Sequence, residues 1–220
     1  MKKAILVILA LITLTAFANA SVLQNANTLG AGKMGWLIAV EYDNNLGGVS
    51  ETLTGVGGYL AYGVMDKLDI FGKVGYGTVS NLPLGVNSAN SIVVGVAAKY
   101  QLLEESKNMP VAVAAVAGYQ AVTGNFSTPL GSGQTVNGDM GVGAVVSKLM
   151  IPWVPYGAVV YHSLPSGGTT DTNLELVVGT QMLLSKTSAV VGEVSLNSYK
   201  PSGGTSYSNT QISLAYTAKI

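Results

Sequence analysis

The sequence predicts an all-β fold, a closed antiparallel up-and-down transmembrane barrel of about ten strands. Three observations predict it. Hydrophobic residues make up 48% of the chain and charged residues only 10%, well below the quarter usual in soluble domains. Past residue 20, no apolar run is long enough for a spanning helix. The apolar residues recur instead at alternate positions, in segments separated by turn residues. That is the pattern of strands whose two faces meet different media.

Residues 1–20 stand apart. Lys2 and Lys3 precede an apolar stretch from Ala4 to Phe17, and Ala18-Asn19-Ala20 is a small-x-small cleavage site. This is the layout of a secretory signal peptide, so residues 21–220 are expected to form one barrel domain exported through the Sec pathway to the cell outer membrane. With no Cys, the chain has no disulfide, thiolate metal site or lipoprotein anchor. Its eleven basic residues are all Lys and its formal net charge is zero, which argues against nucleic acid as a partner.

The strands follow in order. In the first, Met34, Trp36, Ile38, Val40 and Tyr42 share one face, with Gly35, Leu37, Ala39 and Glu41 on the other. The second sets Val56, Leu60, Tyr62 and Val64 against Gly55, Gly57, Tyr59, Ala61 and Gly63. The third sets Leu68, Ile70, Val74 and Tyr76 against Asp69, Phe71, Lys73, Gly75 and Gly77, and the fourth sets Ile92 to Tyr100 against Gly95 to Gln101. Strands five to seven are expected near 111–122, 139–148 and 156–162. The eighth alternates Leu174, Leu176 and Val178 with Glu175, Val177 and Gly179; the ninth covers 189–197. The tenth sets Ile212, Leu214, Tyr216, Ala218 and Ile220 against Gln211, Ser213, Ala215, Thr217 and Lys219. Eight strands would follow if five to seven were merged differently, and twelve if residues 123–134 or the N-terminal segment paired.

The connections alternate in kind. Segments 43–50, 80–90, 123–134, 165–172 and 200–206 are long and rich in Gly, Ser, Asn, Thr and Pro, whereas those between them are shorter. Long outer loops alternating with short periplasmic turns are the outer-membrane layout. An extracellular ligand would then meet the loops.

Such a wall turns apolar side chains to lipid and small or polar ones inward. The candidate lumen charges are Glu41, Asp69, Lys73, Lys99, Glu175, Glu193 and Lys219, all of the parity opposite the apolar set. A Lys facing hydrocarbon at the midplane would cost about 2–4 kcal/mol. Alternating glycines read as close packing in a narrow barrel.

The hairpin Ala61-Tyr62-Gly63-Val64-Met65-Asp66-Lys67-Leu68-Asp69-Ile70-Phe71-Gly72-Lys73-Val74-Gly75-Tyr76-Gly77 resembles a recurring hairpin of the small bacterial outer-membrane β-barrel superfamily, with its OmpA-like and opacity-protein-like barrel domains. The last strand also resembles the C-terminal signal read by barrel-insertion machinery, although it ends on Ile220 rather than an aromatic residue. The resemblance implies outer-membrane lipid and the insertion machinery as partners, and implies no activity.

No cofactor or metal motif is present. His162 is the only His; with the parity of Tyr156, Ala158 and Val160 it is expected to face lipid headgroups. It adjoins Ser163, but neighbours on a strand point to opposite faces. Asp43, Asp139 and Asp171 look isolated from it. The expected function is therefore a structural, adhesive or surface-exposed role without catalysis. The alternative is a narrow pore for ions or small solutes, and the third reading is an exported soluble β-sandwich adhesin.

Overall fold

The computed structural model describes residues 25–46, 51–82, 87–129, 131–166 and 169–220. The proposed signal peptide lies outside them. Ten strands follow in sequence: β1 (Met34–Leu46), β2 (Glu51–Met65), β3 (Leu68–Ser80), β4 (Ser88–Leu103), β5 (Ala112–Thr128), β6 (Gly131–Ser147), β7 (Trp153–Ser166), β8 (Thr169–Leu183), β9 (Ser188–Lys200) and β10 (Tyr207–Lys219). Each pairs antiparallel with its sequence neighbours, and β1 pairs with β10 to close the barrel. At the seam Gly35 lies opposite Lys219 and Tyr42 opposite Ile212, and the Ile220 N–H donates to the Met34 carbonyl at 2.9 Å. Closure leaves no sheet edge among these strands and excludes a sandwich.

The alternation expected for β1 to β4 and β8 to β10 is the alternation observed. Ile38, Val40, Leu60, Val74, Val94, Val178 and Leu214 are exposed on the outside, while Glu41, Asp69, Lys99, Gln101, Glu175 and Gln211 are buried within. This inverts a soluble protein, whose surface rarely carries an apolar patch beyond a few hundred Å².

Outward aromatics form two tiers. Trp36, Tyr62, Tyr100, Trp153 and Tyr216 lie toward the end that carries Met34 and Ile220, here the terminal end. Tyr42, Tyr76, Tyr119 and Tyr161 lie toward the opposite, distal end. The tiers are about 15–20 Å apart along the axis at the usual rise and tilt, matching interfacial girdles around an apolar belt. Trp36 packs on Tyr216 across the seam, ring centroids 5.6 Å apart. Beyond the distal tier the outer face turns polar. Thr54, Thr78, Asn90, Asn125 and Gln134 are direct cross-strand neighbours on five consecutive strands, and Asn125 donates to Asn90 at 3.2 Å.

Two expectations are corrected. Segments 123–134 and 165–172 are largely paired strand rather than loops: Thr123 pairs with Val136 through to Thr128 with Gly131, and Ser166 pairs with Thr169. Above the apolar belt both strand faces meet water, so the sequence loses its alternation although the hydrogen-bond ladder continues. The parity of β7 is also the reverse of that expected. Val159 and Tyr161 face out, whereas Tyr156, Val160 and His162 are buried inside. Both faces of this strand are apolar, so alternation could not orient it. Inward glycines on its neighbours make the room: a Cβ on Gly141 would come within 3.3 Å of His162 Nδ1, and one on Gly179 within 2.6 Å of the Tyr156 hydroxyl.

Candidate functional site

The interior is the candidate site, and it has two levels. At mid-height, His162 from β7 stands between two carboxylates. Its Nδ1 lies 3.0 and 3.2 Å from the oxygens of Asp139 on β6, and its Nε2 lies 3.3 Å from Glu175 Oε2 on β8. Gln120 Nε2 donates to Asp139 Oδ2 at 2.6 Å. Lys73, from β3, reaches into the same space and senses the charges of Glu41, Asp139 and Glu175, with its ammonium 6.0 Å from the centroid of the inward-facing Tyr59 ring. The Tyr156 hydroxyl donates to Glu193 Oε2. Replacing Tyr156 with Phe is expected to destabilise the barrel by about 1.5–3 kcal/mol, because it strips a buried carboxylate of a charge-assisted donor. Urea unfolding from lipid vesicles measures it.

At the terminal end, residues 25–32 enter the barrel and cross its mouth. Lys99 Nζ donates to the Asn25 carbonyl at 3.2 Å and the Ala26 N–H donates to Ser147 Oγ at 3.0 Å. The Gln101 amide donates to Asn27 at 3.2 Å, and the Leu29 N–H to both Asp69 oxygens at 3.1 and 3.0 Å. Asn25 donates to Gln181 on the far wall. Lys99 also lies 3.9 Å from Asp69 Oδ2 and 5.4 Å from the centroid of the inward Phe71 ring. Gly63 admits this segment, since a Cβ there would lie 2.0 Å from the Gly30 carbonyl oxygen.

The seven residues singled out from the sequence are thus placed as follows. Glu41, Lys73, Glu175 and Glu193 are electrostatic neighbours at mid-height; Asp69 and Lys99 hold the terminal segment; Lys219 is exposed at the terminal rim. His162 is corrected from lipid-facing to buried at 1% exposure, and Asp139 from isolated to its hydrogen-bonded partner. Reading β7 in the opposite parity would have brought the two together, because Asp139 is inward on the adjacent strand. The docking of residues 25–32 left no trace in periodicity.

The mid-height cavity beside Phe71, Lys73, Gln120, Asp139 and Val160 holds about 40 Å³. A second cavity of about 250 Å³ lies between the terminal segment and the wall at Tyr59, Asp69, Lys99 and Lys219.

No protein-family model matches the sequence, and no curated protein does. Solved structures do. The translocator domain of the autotransporter NalP from Neisseria meningitidis superposes with a TM-score of 0.57 over 90% of this chain and 91% of that one, at 12% identity. The fold is that of an outer-membrane β-barrel. The β-domain of the Bordetella autotransporter BrkA gives a TM-score of 0.51 at 11% identity, over 86% of this chain and 99% of that one. At such identities the likeness is one of fold alone. For an outer-membrane β-barrel of ten strands a filled interior is the physical expectation, since about eight leave room only for side chains and 16–18 leave water.

Proposed function

We propose that this chain is an outer-membrane barrel with a structural, adhesive or other surface role, acting through its wall and distal face rather than by conduction or catalysis. The observation that carries this reading is the filled interior: a mid-height cavity of about 40 Å³ under a charged cluster, and a chain segment hydrogen-bonded across the terminal mouth. A space of that size holds a few waters, not a hydrated ion stream. His162, at 1% exposure, has no room beside it for a substrate, which supports reading its two carboxylates as charge partners. The apolar belt and aromatic tiers support residence in lipid, with the distal end outward. Export through residues 1–20 and assembly by the insertion machinery belong to the same reading.

The test is conductance in planar bilayers. The refolded barrel is expected to stay silent across the voltages the membrane tolerates. Discrete unitary steps would replace this reading with the second one, a narrow cation-favouring pore. That alternative draws on Asp43 and Glu51, both buried near the distal mouth.

A further inference from the structure

Glu41, Ser213 and Glu193 are inward-facing residues in direct register on β1, β10 and β9: Glu41 opposite Ser213, and Ser213 opposite Glu193. All three are buried, at 3, 4 and 4% exposure. Among the described residues, both oxygens of Glu41, the Ser213 hydroxyl and one oxygen of Glu193 have no hydrogen-bond partner. Buried oxygens of this kind are rare because each forfeits its hydration without return.

The charge balance points the same way. Four carboxylates, Glu41, Asp139, Glu175 and Glu193, share the mid-height space with two cationic side chains, Lys73 and His162. With all four carboxylates ionised and His162 protonated, two negative charges would be in surplus. A surplus of that size in a nearly dry space is costly unless something neutralises it. The orphan oxygens of Glu41 and Glu193 flank the orphan hydroxyl of Ser213, so the uncompensated charge and the unpartnered oxygens coincide.

We propose that Glu41, Ser213 and Glu193 form a binding site for one hard divalent cation, Ca²⁺ or a chemical equivalent, inside the barrel. Such a cation accepts carboxylate, hydroxyl and water oxygens in flexible geometry, and its two charges match the surplus. Among the described residues no three His, Asp or Glu side chains converge as a ready-made metal site, so the hydroxyl and water complete the shell. Glu51, buried near the distal mouth with both carboxylate oxygens also unpartnered, gives a cation a first stop on its way in. The inference does not depend on whether the barrel conducts.

The test is a titration of the chelator-treated, folded barrel in detergent micelles. Tb³⁺ replaces Ca²⁺ as a luminescent probe excited through Tyr156, which touches Glu193, and Ca²⁺ competition gives the affinity. Saturable uptake of one ion is expected, with a Kd for Ca²⁺ on the order of 10⁻⁴–10⁻³ M, the range of weakly charged sites. Glu41→Gln should weaken it at least about tenfold, whereas Glu104→Gln on an exposed turn should leave it unchanged. If Glu41→Gln does not fold, Glu193→Gln carries the same expectation. Absent or non-saturating uptake overturns the proposal, as does uptake undiminished in either lumen variant. So does a thermal stability that ignores Ca²⁺ but moves with pH, which would mean that protons carry the balance. Silence in planar bilayers would leave this result untouched.

Discussion

Lys73→Met lowers the stability of the inserted barrel by about 3–5 kcal/mol, the range for removing one partner from a buried ionic cluster. Met keeps most of the volume and loses the ammonium charge, its N–H donors and the contact with the Tyr59 ring, so the effect reports polar interactions rather than a cavity. Lys73 is where the cluster is most exposed to such a change. Its ammonium faces Glu41, Asp139 and Glu175, and of these Asp139 and Glu175 are also served by His162. Glu41 has no such second partner. The double variant Lys73→Met with Glu41→Gln should therefore recover part of the loss, within the roughly 0.5–3 kcal/mol typical of coupled neighbours. Denaturant unfolding from vesicles, followed by tryptophan emission, measures all three proteins. A loss under about 1 kcal/mol in the single variant would mean that the cluster does not lean on this lysine.

The second large effect comes from a backbone contact. Gly143 on β6 lies opposite Val160 on β7, and a Cβ there would sit 2.3 Å from the Val159 carbonyl oxygen and 2.9 Å from the Val160 Cα. No side chain can swing aside to relieve this; the two strands must separate. Gly143→Ala is expected to destabilise the barrel by about 2–3 kcal/mol or more. It should also disturb the Asp139–His162 pair, which spans the same two strands. Gly192→Ala, where an added Cβ meets nothing within 4 Å, is the matched control and should stay within about 0.5 kcal/mol. Comparing the heat-modifiable gel mobility of the two variants separates them, and equal behaviour would argue against the close approach of β6 and β7.

What could be read in advance follows from where the medium changes. β3 and β8 cross an apolar belt on one side and a polar lumen on the other, so Ile70 against Asp69 and Leu176 against Glu175 alternate without ambiguity. β7 carries Tyr156 and Val160 inside and Val159 and Tyr161 outside, and with both faces apolar its orientation is set by the glycines across from it. That inversion hid His162 from Asp139. Segment 123–134 was hidden for the opposite reason, because both of its faces meet water and its Ser, Thr, Asn and Gly content matches that of a turn. Residues 25–32 are recognised by Asp69, Lys99, Ser147 and Gln181 from separate strands, a set that only barrel closure brings together. The charged lumen positions on β1, β3, β4, β8 and β9 were legible from parity; their grouping into a mid-height cluster and a terminal strap required the register.

The row of Thr54, Thr78, Asn90, Asn125 and Gln134 has a consequence for recognition. These hydroxyls and amides ride on paired strands about 4.8 Å apart, not on the pliant loops usual at such a rim. Any partner that docked there would meet groups already fixed in spacing and direction, so it would lose little conformational freedom on contact. Under the proposed surface role, such a preorganised rim would discriminate by shape and hydrogen-bond pattern and would have little capacity to mould itself around dissimilar ligands.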